Sequence, residues 1–199
     1  MRCRWLLTLG GVCLAQGTLS SFALAQTVVG DPVAGRSKAG MCRTCHGLEG
    51  LARIPIAPHI GGEKATYLVH QLAAFRDGSR IHEMMSVVAK GLDDQAIADL
   101  AAWYSAQKMT ARPPSGPAGD AAPERCVSCH GADGLAVIDD APNLAGENAI
   151  YIATQLKAFR GGKRQHAVMS DIAADMTDTE IRAVADWYAG TEIEIEPAR

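Results

Sequence analysis

Aromatic residues are scarce in this chain of 199 residues, which has three Trp, four Tyr and three Phe. Charge is also limited: charged residues make up 21% and the formal net charge is −3, so nothing indicates nucleic-acid binding. The apolar fraction of 48% argues against disorder, and a multi-span membrane protein is excluded. The composition therefore favours helices packed around something other than an aromatic core.

The first 25 residues are typical of an export signal. Two arginines precede a short apolar segment over 5–15, and Ala23-Leu24-Ala25 supplies a small-x-small cleavage site. We therefore predict a signal peptide over 1–25, export by the Sec route and a bacterial periplasmic location. An uncleaved N-terminal anchor is the alternative. Cleavage would remove Cys3 and Cys13 and leave four cysteines.

The rest of the sequence repeats with a period of 84 residues and no gap. The shift aligns Cys42-Arg43-Thr44-Cys45-His46 with Cys126-Val127-Ser128-Cys129-His130, and the register holds as far as Trp187-Tyr188. Prolines and glycines over 112–120 predict a linker. We therefore predict two like domains, at 26–111 and at 121–199, the second ending in an acidic tail.

Within each repeat the apolar residues recur at helical spacing, so we predict an all-α fold with no strand. Helices are predicted over 65–77 and 149–161, and a last helix is predicted to be capped by Asp94 or Asp178. The buried stripe of this last helix is predicted to be Ile97, Leu100, Ala101 and Tyr104, with Ile181, Val184, Ala185 and Tyr188 in the second repeat.

The pattern Cys-x-x-Cys-His is the attachment signature of a c-type haem. Two thiols three residues apart on one helical turn can reach the two vinyl groups of a porphyrin, and the next histidine can bind the iron. The sequence therefore predicts two covalently bound haem c groups. The residues predicted to carry them are Cys42, Cys45 and His46 in the first repeat and Cys126, Cys129 and His130 in the second.

Other uses of paired cysteines are weaker alternatives. A thioredoxin-like redox pair expects alternating strands and helices, and a zinc site needs more Cys or His ligands nearby in the same domain. A structural disulfide protein and a dihaem peroxidase are further alternatives. The peroxidase requires an iron with an open or releasable position.

Methionine is the predicted sixth ligand of each iron, since a thioether completes the haem of carrier cytochromes and raises its potential. Met85 and Met169 fall on each other in the repeat and lie equally far from the two histidines. Met84 and Met176 align with Val168 and Leu92, so we interpret them as core filler.

Histidine and arginine pairs flank these methionines. His82 and His166 match in the repeat and are alternative ligands, although a structural or propionate-facing role is favoured. His59 and His70 have no histidine counterpart, so we interpret them as surface or locally bonded residues. Two arginine pairs are candidates for neutralising haem propionates, with a solvated basic turn as the alternative: Arg76 with Arg160, and Arg80 with Arg164.

The motifs resemble those of class I cytochromes c, and the tandem pattern resembles the dihaem cytochrome c4 family. The resemblance covers nearly the whole chain after the signal and includes Tyr-x-x-x-Gln-Leu-x-x-Phe-Arg at 67–76 and 151–160. It implies an electron carrier, with both haems near a domain interface, between a quinol-oxidising complex and a terminal oxidase. It also implies that Pro58 and Pro142 offer carbonyls to the haem-binding histidines.

The same architecture is shared by electron-accepting subunits of periplasmic dehydrogenases, which is the main alternative. Both readings predict no catalysis by this chain and redox proteins as partners. Free diffusion and peripheral membrane association are both open, as are a monomer and a weak dimer. Residues 26–111 carry nine basic and eight acidic side chains, whereas 112–199 carry eight and fourteen, so we hypothesise that this asymmetry orients docking.

Overall fold

The computed structural model describes residues 28–114 and 122–198. The predicted signal peptide, 1–25, lies outside the described residues, as does most of the predicted linker, 112–120. Of the helices in the described ranges, none combines the length and the apolar character needed to cross a membrane.

Both repeats are mainly helical, which confirms the predicted fold class. The first contains a 3-10 turn at Ala39–Met41, the helices α1 (Pro32–Lys38), α2 (Arg43–His46), α3 (Ala65–Asp77), α4 (Glu83–Lys90) and α5 (Asp94–Ser105), and the strand β1 (Lys108–Arg112). The second contains the helices α6 (Glu124–His130), α7 (Ala149–Arg160), α8 (Ala167–Ala174) and α9 (Asp178–Ala189) and the strand β2 (Glu192–Glu196).

The long helices begin and end close to their predicted bounds. Helix α3 has the predicted bounds, and α7 ends at Arg160, one residue before the predicted end. Gly78 follows α3 with φ of 82°, a left-handed conformation that strains residues with a Cβ. The glycine therefore stops the helix where the periodicity ends.

The caps of the last helices differ from the prediction by one residue. Asp93 caps α5 and Thr177 caps α9, each with a side-chain oxygen that accepts a backbone N–H. Asp94 and Asp178 are instead the first helical residues, where they accept hydrogen bonds from Arg76 of α3 and Arg160 of α7. The prediction was wrong because two polar residues in succession leave the position of the cap ambiguous.

Each repeat has its own core, centred on its last helix. Leu100 in the first core and Ile181 in the second are almost fully enclosed, and the predicted stripe of α5 is buried throughout. In α9 only Val184 of the predicted stripe is half-buried rather than buried. Met176 fills the second core as expected, but Met84 is 62% exposed and is not core filler.

A two-stranded antiparallel sheet joins the repeats, so the prediction of no strand was wrong. Lys108 pairs with Glu196 and Arg112 with Glu192, while Met109 faces Ile195 from the half-buried side. The supposed acidic tail is thus an ordered strand. Its alternating glutamate and isoleucine residues place charge on the exposed side and apolar side chains on the other.

The contacts between the repeats follow an approximate twofold relation. The strands β1 and β2 are equivalent under the 84-residue shift, and they pair about Thr110 and Glu194. If the two repeats are exchanged, each residue pair across the sheet falls on another residue pair of the same sheet, as in an isologous interface. Side-chain contacts described below obey the same exchange.

Candidate cofactor-binding sites and the interface between the repeats

The cysteines of each pair lie on a single helical turn. Cys42 is the N-terminal flank of α2 and Cys45 lies within it, whereas Cys126 and Cys129 both lie in α6. All four are half-buried free thiols. Burial raises the pKa of the Cys42 and Cys126 thiols. The thiols are therefore open to covalent attachment.

The next histidine in each motif is buried and oriented by a carbonyl. His46 is 8% exposed and its Nδ1 donates to the carbonyl of Pro58 at 2.9 Å, while His130 is 5% exposed and bonds Pro142 at 2.8 Å. The role that the resemblance implied for the two prolines is thus confirmed. Burial lowers the pKa of both imidazoles. Each is therefore a neutral ring whose Nε2 is free to bind a metal.

Met85 and Met169 occupy equivalent places in the first turns of α4 and α8. Both are half-buried, unlike the exposed neighbour Met84. Met169 also packs against the second core together with Cys126. The surroundings of the two predicted ligands therefore differ from those of the adjacent methionine.

His82 and His166 cap the same two helices. Nδ1 of each accepts the backbone N–H groups of the second and third residues that follow it, the third being Met85 or Met169. In addition, Nε2 of His166 lies 3.0 Å from a carboxylate oxygen of Asp140. The structure thus gives these histidines the structural role that the sequence favoured.

The two arginine pairs have different surroundings. Arg76 and Arg160 form ion pairs with Asp94 and Asp178, at 2.7 and 2.6 Å. The hydrogen bond from Arg160 lowers the pKa of Asp178. These contacts tie the long helix of each repeat to its last helix.

Arg80 and Arg164 bridge the repeats. Arg80 donates to Tyr151 at 3.2 Å and to Gln155 at 2.9 Å, both in the second repeat. Arg164 makes the equivalent bonds to the first repeat, to Tyr67 at 3.2 Å and Gln71 at 3.0 Å. Each guanidinium also lies over the phenylalanine ring of its own repeat, at 4.4 and 4.5 Å. Together these side chains form a reciprocal polar cluster.

A second reciprocal cluster contains two buried glutamates that the sequence analysis did not single out. A carboxylate oxygen of Glu147 accepts the backbone N–H of His59 at 3.0 Å, and Glu63 accepts the N–H of Asn143 at 3.0 and 3.1 Å. Burial raises the pKa of both glutamates to about 8. The available signal was the alignment of Gly62-Glu63 with Gly146-Glu147, which retains both glutamates in the repeat.

The side chains of His59 and Asn143 make equivalent hydrogen bonds in this cluster, although the two residues differ in type. His59 Nε2 donates to the carbonyl of Gly146 at 3.1 Å, and Asn143 Nδ2 donates to that of Gly62 at 3.0 Å. His59 is therefore a residue of the interface between the repeats, and its interpretation as a surface or locally bonded residue was incomplete. His70 has an exposed side chain, as expected, and its Nδ1 lies 3.6 Å from a carboxylate oxygen of Asp140 in the second repeat.

The residues present fit two haem c groups. Each repeat offers two free thiols one turn apart, a buried neutral imidazole with Nε2 available, and a half-buried thioether at the same sequence distance. The second repeat also holds a buried indole N–H of Trp187 that has no partner among the described residues, whereas Trp103 donates to Leu48 at 2.8 Å. A donor of this kind fits a polar group of a bound ligand.

Comparisons with known proteins agree with this arrangement. The family model described as cytochrome c oxidase, cbb3-type, subunit III matches residues 120–187. The chain is 33% identical over 190 residues to cytochrome c4 of Pseudomonas aeruginosa, with 87% of this chain and 94% of the relative covered. It is 35% identical to the thiosulfate dehydrogenase electron acceptor of Thiomonas intermedia, with 76% and 79% covered. The solved structure of reduced recombinant cytochrome c4 from Pseudomonas stutzeri superposes with a TM-score of 0.72 at 28% identity, over 82% of this chain and all of that one.

The fold and the paired sites define a tandem class I c-type cytochrome, with one Cys-x-x-Cys-His motif and one helical domain per repeat. Its relatives narrow this class further. The chain belongs to the cytochrome c4 family. It therefore carries two covalently bound haem c groups and transfers electrons, and the prediction of an electron carrier rather than a catalyst is confirmed.

Proposed function

We propose that this protein carries single electrons between two redox proteins in the bacterial periplasm, from a quinol-oxidising complex to a terminal oxidase. The observation that carries the proposal is that the loops holding Pro58 and Pro142 meet at the interface, where His59 and Asn143 each bond the opposite repeat. The two sites thus belong to one connected structure. Such a unit can accept and release electrons at different faces.

Eight side chains are proposed to hold the cofactors. The thioether links are assigned to Cys42, Cys45, Cys126 and Cys129, the proximal ligands to His46 and His130, and the distal ligands to Met85 and Met169. Bound in this way, each haem supplies an iron that cycles between the ferric and ferrous states. Support comes from the geometry above: the histidines are neutral and fixed, and the methionines are half-buried at matching positions.

The protein's own contribution is orientation and burial. The carbonyls of Pro58 and Pro142 fix the tautomer and the ring orientation of the histidines, which strengthens them as ligands. Caps by His82 and His166 fix the first turns on which the methionines lie. If Met85 and Met169 complete the two sites in this way, no position would be open to a substrate, which is the behaviour of a carrier.

Adjacent methionines provide a matched test of the ligand assignment. Met85→Ala in the holoprotein should convert one of the two haems from low spin to high spin, whereas Met84→Ala should leave the visible spectrum unchanged because that side chain is exposed. His82→Ala should retain both low-spin haems. A silent Met85→Ala, or a spin change in either of the other variants, would overturn the assignment.

The domain boundaries and the export signal also belong to the proposal. We assign 1–25 to a cleaved signal peptide, 26–111 and 121–199 to the two domains, and 112–120 to the linker. Mass spectrometry of the protein isolated from a periplasmic extract should give an N-terminus at Gln26. Recovery of the uncleaved chain in the membrane fraction would support the N-terminal anchor instead.

A second candidate function has a specific basis, because one relative is described as a thiosulfate dehydrogenase electron acceptor. In that case the donor would be a dehydrogenase rather than a quinol-oxidising complex. Stopped-flow reduction of the ferric holoprotein by each purified donor separates the two. Fast, saturable reduction by the quinol-oxidising complex, with reoxidation by a terminal oxidase, is expected, and a response to the thiosulfate dehydrogenase alone would favour the alternative.

The unequal charge of the two domains is proposed to orient these encounters. Residues 26–111 are nearly neutral, whereas 112–199 carry an excess of six acidic side chains over basic ones. The second domain should therefore approach the more basic partner, and its reaction should slow as ionic strength rises. Rates with both partners that do not change between low and high salt would contradict this orientation.

A further inference from the structure

One peptide group lies between each buried glutamate and a haem-binding histidine. The Pro58–His59 peptide donates its N–H to Glu147 at 3.0 Å and accepts His46 Nδ1–H on its carbonyl at 2.9 Å. The Pro142–Asn143 peptide donates in the same way to Glu63, and its carbonyl accepts from His130 at 2.8 Å. A carboxyl group and an imidazole are thus connected through a single amide.

Both connections cross the interface between the domains. Glu147 lies in the second domain but reaches the histidine of the first, and Glu63 does the reverse. Glu147 and Glu63 are only 3% and 4% exposed, so both carboxyl groups lie in the interior. The repeat retains both glutamates while the N–H donors differ, His59 in one domain and Asn143 in the other. Since only the backbone N–H is used, the donor side chain is free to vary.

A hydrogen bond to one end of an amide polarises the other end. When the N–H group donates to a carboxylate, the amide carbonyl becomes a stronger acceptor, and bonds in such a chain strengthen one another in a medium of low dielectric constant. A stronger acceptor at Nδ1–H makes the imidazole a more basic ligand. A more basic ligand favours the ferric over the ferrous state and so lowers the reduction potential.

We propose that Glu63 and Glu147 are positioning residues that set the reduction potential of the haem in the opposite domain, each through the peptide that it shares with that domain's histidine. The inference rests on the proposed ligation by His46 and His130. It extends the proposed function, because it makes the docking of the domains part of the redox chemistry.

Few other ionisable groups face this pair. His59 is neutral, since its Nδ1 accepts the N–H of Ala52 at 2.9 Å and its Nε2 donates to a carbonyl. Lys64 and Tyr67 lie close enough to interact electrostatically with Glu63, and the two glutamates oppose each other's ionisation. Within the described residues, every hydrogen bond to the carboxyl oxygens comes from a backbone N–H, which favours the ionised form against burial. The two carboxyl groups are thus the expected source of pH dependence above neutrality.

The test measures the potential of each haem separately in the holoprotein. At about pH 9, where both carboxyl groups are largely ionised, Glu147→Gln should raise the potential of the haem in the first domain and leave the other unchanged. Glu63→Gln should raise only the potential of the haem in the second domain. Redox titration followed by haem methyl resonances in NMR resolves the two, with assignments taken from the methionine variants above.

Glu194→Gln is the matched control, since it removes one exposed carboxylate from the second domain without a contact to either peptide. This control should shift the reduction potential of either haem by less than the glutamate variants above shift that of the haem in the opposite domain. Equal shifts of both haems in the glutamate variants, a shift confined to the haem of the same domain, or no shift would each overturn the proposal.

A measurement on the unmodified protein covers the case in which the variants fail to fold. In the ferrous holoprotein, the amide proton signals of His59 and Asn143 should move as the glutamates ionise, with a midpoint near the pKa of about 8. Amide signals that stay constant from about pH 6 to about pH 10 would overturn the proposal. Failure of the proposed ligation would be distinguishable, because it would show in the spectra of Met85→Ala rather than in these shifts.

Discussion

The reciprocal arginines allow a prediction in which one domain serves as the control for the other. Arg164→Ala removes two hydrogen bonds to the first domain, and it leaves the hydroxyl of buried Tyr67 without a partner. Arg80→Ala removes the equivalent bonds, but its partner Tyr151 is half-buried and remains within reach of water. Both substitutions lose a similar contact with a phenylalanine ring.

The difference in the free energy of unfolding between the two variants therefore measures the cost of leaving the buried tyrosine hydroxyl unpaired. An unpaired buried hydroxyl costs about 1 to 3 kcal/mol, whereas a hydrated one costs little. We expect Arg164→Ala to lower the free energy of unfolding by about 2 to 3 kcal/mol and Arg80→Ala by about 1 kcal/mol. In the background of Tyr67→Phe, which has no hydroxyl to leave unpaired, Arg164→Ala should cost about as much as Arg80→Ala.

Urea unfolding of the oxidised holoprotein, followed by far-UV circular dichroism, provides the assay. The midpoint should move while the slope stays constant, which shows that stability has changed rather than the extent of unfolding. Equal costs for the two arginine variants, or a cost of Arg164→Ala that persists undiminished in the Tyr67→Phe background, would refute this reasoning.

Three further predictions concern stability. Burial raises the pKa of Glu63 and Glu147 from an ordinary 4.5 to about 8, so the folded state binds more protons than the unfolded state between these pH values. Thermal unfolding should therefore show that stability falls as the pH rises from about 5 to about 8, and that it falls less in the variant with both glutamates changed to Gln. Gly62 has a φ of 78°, and a Cβ added there would lie 2.6 Å from the Cβ of Met109, whereas Gly78 faces open space. Gly62→Ala should therefore lower the free energy of unfolding in urea by about 2 to 4 kcal/mol, and Gly78→Ala by about 1 to 2 kcal/mol. Equal costs would contradict the steric argument. Protein made without haem attachment should be largely unfolded by circular dichroism, and a native helical spectrum would exclude a core that depends on the cofactor.

The features that the sequence predicted are local or repeated. The cysteine pairs, the following histidines and the long helices each depend on residues within a few turns, and the period of 84 residues distinguished Met85 from Met84. Relatives and fold confirm the haem class and the helical domains, while the methionine ligands remain a prediction.

What the sequence did not predict depends on contacts between distant segments. Arg164 and Tyr67 are far apart in the chain, and nothing local to either residue indicates the other. The strand β2 did carry a local signal in the alternation of glutamate and isoleucine, but a five-residue edge strand forms only when a partner is available. That partner, β1, lies in the other repeat and has no comparable alternation of charged and large apolar residues. The interface role of His59 was similarly not predicted, because its backbone N–H and its Nε2 both bond residues that are more than 80 positions away in the chain.

A redox titration of the purified holoprotein, followed by visible absorbance and by electron count, tests the central claim most directly. We expect two electrons per chain, taken up one at a time by two low-spin, six-coordinate haems, with no turnover of peroxide. Uptake of a single electron, or an isolated protein whose high-spin iron reduces peroxide, would contradict a dihaem electron carrier.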